Sequence, residues 1–147
     1  MEIRPDSRPL ATGGRPPFRA DHIGSLLRPK RLRDAFRQRS ATAISEAEFH
    51  RVQDEAVRGV VRLQEDAGLQ VVTDGEFRRT SYWARFVLLT QGLAVKQAMF
   101  KFHDDHGRET DFTAPYVEGR VSRTAPITLD EYTFVASVAK ATPKITM

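Results

Sequence analysis

The sequence predicts an α/β chain built on a parallel sheet, and three observations carry that reading. Short β-branched runs alternate with helical patterns along the chain. Two helical patterns open with one start signal, a Ser or Thr followed three residues later by Glu. The count comes to about four strands and four helices, whereas a closed (β/α)8 barrel needs eight of each over about 250 residues. The 147 residues would therefore supply the N-terminal part, about half, of a TIM barrel.

Residues 1–17, with Pro5, Pro9, Gly13, Gly14, Pro16 and Pro17 among scattered charges, hold too little apolar content to offset their ordering entropy. They read as a flexible tail, which leaves 18–147 as the incomplete barrel domain. Phe18 to Ile23 reads as a first strand, closed at Gly24, where glycine lets backbone approach a ligand. From Lys30 to Arg39, Leu32, Ala35 and Phe36 share one helical face. The next helix is the best specified. Ser45 and Glu48 form a capping box, and Ile44 and Phe49 a hydrophobic staple across it. Phe49, Val52, Ala56, Val60, Leu63 and Ala67 make a stripe, and Gly68 stands where a left-handed C-cap is expected.

Leu69 to Thr73 reads as a second strand, ended by Asp74-Gly75-Glu76. Tyr82, Trp83, Phe86 and Leu89 keep helical spacing as far as Gly92, and Val95 to Phe102 then leads into a turn at His103 to Gly107, as in an inserted hairpin. Tyr116 to Val121 reads as a third strand. Thr128 and Glu131 repeat the capping box, with Ile127 and Tyr132 as its staple and Val135, Ala136 and Ala139 as the buried face. Lys144 to Met147, introduced by Pro143, reads as a fourth strand in which the sequence stops mid-element.

Composition narrows the chemistry. Lys and Arg number 23 against 19 Asp and Glu, a net charge of +4 that raises the expectation of anionic partners. The chain has no cysteine, so it has no disulfide framework, no thiolate metal ligand and no thiol nucleophile. With no long apolar run and no signal pattern, the expectation is a cytoplasmic protein without a membrane partner.

Ligands of parallel α/β folds gather at the carboxyl ends of strands, and two polar clusters fall there. Asp21-His22-Ile23-Gly24-Ser25 follows the first strand and Thr73 to Arg79 the second. Gly24 and Ser25 could offer backbone N–H groups and a hydroxyl to an α-carboxylate, while Glu76 could pair with an α-ammonium. The plainer alternative is that Gly24 only turns, Ser25 caps the next helix and Glu76 pairs with Arg78 or Arg79 at the surface. His103 and His106, flanking Asp104 and Asp105, read as solvated turn residues rather than a metal cluster. Arg28, Lys30, Arg31, Arg33, Arg37 and Arg39 read as a solvated helix face before a nucleic-acid contact.

Ile23-Gly24-Ser25, Gly75-Glu76 and the stretch from Val117 to Thr128, in this order, resemble the catalytic barrel of cobalamin-independent methionine synthase, especially its short single-barrel relatives. The resemblance runs from Phe18 to Met147. It implies transfer of a methyl group from 5-methyltetrahydrofolate polyglutamate to the thiol of homocysteine, giving methionine, with zinc activating the thiolate. By the same resemblance Ile23, Gly24, Ser25 and Glu76 hold the amino-acid part of homocysteine or methionine. The family's zinc ligands, His, Cys and Glu from later strands, have no counterpart here, so no metal role transfers. Thr110 and Asp111 stand where full-length synthases place an arginine-cysteine pair that helps bind folate, which leaves the donor without that contact. The resemblance thus implies a truncated methyltransferase, inactive alone. Two further readings are a half barrel that self-associates or complements another chain through its open sheet edges, and a basic nucleic-acid-binding module.

Overall fold

The computed structural model describes residues 22–99, 101–110 and 112–146. The tail expected at 1–17, the start of the first strand at 18–21, Asp111 and Met147 lie outside the described residues. His22 and Ile23, the end of that expected strand, are not part of a strand.

Helix α1, Lys30–Ser40, starts after Pro29, whose φ of −61° suits a helix entrance, and buries Leu32 and Ala35. Helix α2, Glu46–Asp66, begins as expected at Ser45, whose Oγ accepts the Glu48 N–H at 3.1 Å. The reciprocal half of the box is not made, because the Glu48 carboxylate takes Arg51 at 2.6 and 2.9 Å. At the other end Gly68, with φ of +81°, closes a Schellman motif: its N–H donates to Glu65 O and that of Leu69 to Gln64 O.

The buried face of α2 departs from the expected stripe. Phe49, Val52 and Val60 are buried, but Val57, Val61 and Gln64 join them while Leu63 is 65% exposed and Ala67 exposed. Strand β1, Val71–Val72, explains the rotation. The Gln64 carboxamide donates to Thr73 O at 2.8 Å and accepts from Thr73 N at 2.9 Å. Satisfying the strand's buried backbone draws this polar residue inward and turns the helix by one position. Phe36 of α1 meets Phe49 edge-on at 5.0 Å, and Leu32, Val57, Val61, Val72, Phe77 and Val135 join one core.

Strand β2, Gln91–Gln97, pairs antiparallel with β5, Thr113–Ser122. Beyond them β3, Phe102–His103, and β4, Glu109–Thr110, form the tip. This corrects the expectation that Tyr116 to Val121 is a barrel strand. Tyr116 pairs with Ala94 and Val117 with Leu93, inside a hairpin arm. Alternating side chains mark a strand without saying which way its neighbour runs. Gly92, at φ of +83°, lies where β5 bulges across it, and a Cβ there would stand 2.4 Å from Arg120 O.

Strand β6, Thr142–Pro143, runs parallel to β1, with Val71 opposite Thr142 and Val72 opposite Pro143. It starts two residues before the expected Lys144. Thr142 N donates to Gln70 O and Lys144 N to Val72 O, so the donor that Pro143 lacks falls on the side away from β1. Among the described residues the parallel sheet is this open pair. The fold is α/β with an unclosed sheet.

Two helices also differ from expectation. Helix α3, Ala84–Leu88, is five residues long and buries Ala84 and Val87 against β2, leaving Tyr82, Phe86 and Leu89 exposed. Helix α4, Leu129–Val138, has no side-chain cap from Thr128, whose ψ of 11° departs from the extended backbone of a capping residue, and Glu131 is buried. Its staple fails too, with Ile127 buried and Tyr132 45% exposed, and Ala136 faces outward while Val135 is buried. Among the described residues no helix is long and apolar enough to cross a membrane.

Candidate functional site

The turn after β1 carries the site. Thr73 and Asp74 are buried, and Gly75 and Glu76 both adopt left-handed backbone, with φ of +66° and +59°. For Glu76 this conformation is strained, and such strain clusters at functional positions. Asp74 Oδ1 accepts the Glu76 N–H at 2.9 Å and helps hold it. The segment before α1 docks onto this turn: Leu26 N donates to Gly75 O at 3.1 Å, and the Thr73 hydroxyl donates to Gly24 O at 3.1 Å while receiving Gly75 N. His22 Nε2 lies 3.0 Å from the same hydroxyl.

Ile23, Gly24, Ser25 and Glu76 are thereby brought together around one cavity of about 460 Å³, which Arg79, Tyr82 and Thr146 complete. That volume falls in the range of about 300–1,000 Å³ usual for small-molecule pockets. Gly24 is buried beneath it, and a Cβ there would lie 2.8 Å from Glu76 Oε1 and 2.4 Å from Thr146 Cγ2. Ser25 is exposed, and Ile23, 91% exposed, stands at the lip. The Glu76 side chain is only 12% exposed, so its oxygens face the cavity rather than bulk water.

Sequence reasoning missed the polar floor. Arg79, 3% exposed, forks onto Glu131, 0% exposed, with Nη2 to Oε2 at 2.7 Å and Nε to both oxygens at 3.3 Å. Arg79 also reaches Thr146, Nη2 to O at 2.6 Å and Nη1 to Oγ1 at 3.4 Å, and the Thr146 hydroxyl donates to Glu76 Oε1 at 3.0 Å. Burial works to lower the Arg79 pKa, but Glu131's hydrogen bond and charge, with the charges of Asp74 and Glu76, raise it. The sequence held one signal of this, an Arg three residues after the Glu. Glu131 was hidden because it occupied the second capping box.

Asp74 is the costly member. Burial raises its carboxyl pKa, the Glu76 N–H works against that, and the charges of Glu131 and Glu76 add to it. Among the described residues its buried Oδ2 has no hydrogen-bond partner. Arg28 closes the side of the site, donating from Nη2 to Glu76 O at 3.4 Å and to Arg79 O while its guanidinium covers the Phe36 ring.

The remaining candidates are engaged elsewhere. On the basic face Lys30 pairs with Asp34, Arg31 with Glu55, Arg37 with Asp34 and Arg39 with Glu46. In the arm's tip Asp104 Oδ1 accepts from the N–H groups of His106 and Arg108, and both histidines are exposed. Among the described residues no three His, Cys, Asp or Glu side chains are grouped to hold a metal. With no cysteine in the chain, the residues present do not fit a zinc site of the family's kind.

The fold is an open α/β layer with a polar pocket beside the turn that ends a parallel strand, the place where ligands gather in parallel α/β folds. The model of one family, "Cobalamin-independent synthase, Catalytic domain", matches residues 18–146, and the chain belongs to that family. It is 32% identical over 134 residues to the uncharacterized protein YxjH of Bacillus subtilis, covering 89% of this chain and 35% of that protein. It is 33% identical over 120 residues to the methionine synthase of Sulfolobus acidocaldarius, covering 80% and 33%. A solved B12-independent methionine synthase from Shewanella sp. W3-18-1, in complex with selenomethionine, superimposes with a TM-score of 0.61 at 22% identity, over 82% of this chain and 35% of that one. The chain therefore spans about a third of the length of these relatives.

Proposed function

We propose that these residues form the amino-acid end of a methyltransferase site of the cobalamin-independent methionine synthase type, within the first half of a (β/α)8 barrel. The reaction would move a methyl group from 5-methyltetrahydrofolate to the homocysteine thiol, giving methionine: an S–C bond forms, the N5–C bond breaks, the thiol gives up its proton and N5 takes one up, releasing tetrahydrofolate. The part taken by this chain is to bind and orient. Gly24 and Ser25 receive the α-carboxylate, Glu76 the α-ammonium, and Ile23 flanks the entrance. No described residue serves the thiol end, and no step is assigned there.

The observation that carries this reading is the approach of Gly24 to Glu76. A Cβ at Gly24 would press on the Glu76 carboxylate and on Thr146, so glycine leaves room between that backbone and the carboxylate. A zwitterion needs an anion handle and a cation handle a few ångströms apart, and the pair supplies both. A family relative solved with selenomethionine is consistent with such a ligand.

Calorimetric titration of the chain with L-methionine and L-homocysteine tests it. A charge-assisted bond in a water-poor site is worth about 1.5–3 kcal/mol, so Glu76→Gln should weaken binding by about tenfold or more. Gly24→Ala should abolish it, since the new methyl would overlap Thr146. Absence of binding by the unmodified chain, or equal binding by Glu76→Gln, rejects the assignment.

One observation favours a second reading, self-association. Leu27, 89% exposed, and Leu63, 65% exposed, line an apolar groove of about 380 Å³ beside α1 and α2. A second copy covering it would appear by light scattering as a concentration-dependent dimer, and a constant monomer mass would dismiss it.

A further inference from the structure

A buried ion pair is a poor stabiliser. Desolvating each ion costs several kcal/mol, and apolar residues of like volume usually serve the fold as well or better. Arg79 and Glu131, 3% and 0% exposed, are such a pair, with Arg85 Nε 3.5 Å from Glu131 Oε1, and Arg79 lines the pocket. Stability alone does not account for them.

Their geometry suggests what they do. Arg79 has a second carboxylate within reach, for its Nη1 stands 3.9 Å from Glu76 Oε1. That is too long for a hydrogen bond, yet a shift of about 1 Å would make one. Two groups hold the guanidinium back. Glu131 grips it through Nε and Nη2, and Thr146 takes Nη2 on its carbonyl and Nη1 on its hydroxyl. The same hydroxyl then gives its proton to Glu76 Oε1, standing between the two charges.

We infer that Glu131 and Thr146 are positioning residues that hold the Arg79 guanidinium off Glu76, so that the Glu76 carboxylate stays free for the ammonium of an amino-acid ligand. The inference rests on Glu76 being the ammonium's partner. Were Arg79 to close on Glu76, an incoming ammonium would meet a carboxylate already neutralised and a like charge beside it. Affinity for the zwitterion is therefore set by which of two buried carboxylates holds one arginine.

The test is titration of L-methionine into the full chain and four variants, with a crystal structure of one. Glu131→Gln leaves Arg79 without its partner, and L-methionine should bind about tenfold or more weakly as Arg79 turns to Glu76. Arg79→Met/Glu131→Leu removes both competitor and holder, and binding should return to within about threefold of the unmodified chain. The crystal structure of Glu131→Gln should show Arg79 Nη1 within hydrogen-bonding distance of Glu76. A merely structural pair would not give this rescue: equal weakening by the single and double variants, or none by either, overturns the inference. Should Glu131→Gln not fold, Glu131→Asp, which retracts the charge by one methylene, should still bind severalfold more weakly, and unchanged affinity overturns the inference. If the unmodified chain binds and Glu76→Gln does not, the pocket assignment stands whatever Glu131 does. If the unmodified chain does not bind, that assignment falls alone, and the position of Arg79 in Glu131→Gln decides the inference: a guanidinium still on Thr146 and away from Glu76 refutes it.

Discussion

Around α2 the chain holds Leu32, Val57, Val61, Val72 and Val135 at 2% exposure or less, whereas on the β2–β5 arm Val117 is 71% exposed and Val121 50%. Both regions are rich in Val and Leu, so composition does not separate them. The layer closes on itself, because α1, α4 and β1 each lay an apolar face on α2. A two-stranded ribbon has only its own two faces, and α3 covers part of one. The arm instead displays cross-strand partners such as Lys96 and Glu118 at 2.6 Å, exposed contacts worth about 1 kcal/mol or less. The geometry of the candidate pocket therefore rests on the layer, and the arm tolerates change.

The largest expected effect would break that contrast if it failed. Leu32→Ala, at a fully buried site, should lower the unfolding free energy by about 2–5 kcal/mol in urea titration. Val117→Ala should stay within about 0.5 kcal/mol. A comparable loss at Val117 would mean that the arm is covered by something the described residues do not include.

A second contrast sets Asp74 in the layer against Asp104 in the arm. Burial raises the Asp74 pKa, so its contribution is most favourable below the unfolded value near 4 and is lost as pH rises through the folded value. Asp104 runs the other way. The Arg108 N–H above all, with that of His106 and the Arg108 side chain, lowers its pKa, so its contribution is present at neutral pH and lost as pH falls. Asp74→Asn keeps an acceptor for the Glu76 N–H and replaces a buried, unpartnered carboxylate oxygen. It should stabilise the chain by about 1 kcal/mol at pH 7, an advantage that shrinks toward pH 4. Thermal melts of the two forms across that range measure it, and a pH-independent difference would refute the assignment to a buried charge.

What was legible in the sequence follows the same division. The span of α2, its Ser45 start and its Gly68 end were readable because each depends on residues within four positions of one another. The convergence of Gly24, Ser25 and Glu76 was readable from the family's motifs, although His22 and Ile23 before Gly24 are not in a strand. The rest depends on partners far along the chain. The Arg79–Glu131 pair joins residues 52 apart, and the pairing of Tyr116 with Ala94 depends on the arm folding back. Local pattern also misled where a long-range contact outbid it, as when Gln64 turned the face of α2 toward Thr73.

The smallest expected effect isolates that last lesson, because the sequence presents its two capping boxes as equivalents. Ser45 caps α2 in fact, its Oγ accepting the Glu48 N–H, and Ser45→Ala should cost about 1 kcal/mol. Thr128 makes no side-chain cap at α4, where its ψ of 11° departs from the extended N-cap backbone that Ser45 has at ψ of 159°. Thr128→Ala should therefore fall within about 0.5 kcal/mol of the unmodified chain. Equal losses in paired urea titrations would show that Thr128 does cap in solution. A loss at Ser45 alone would show that one local helix signal caps only where the backbone before the helix is extended, as it is at Ser45 and is not at Thr128.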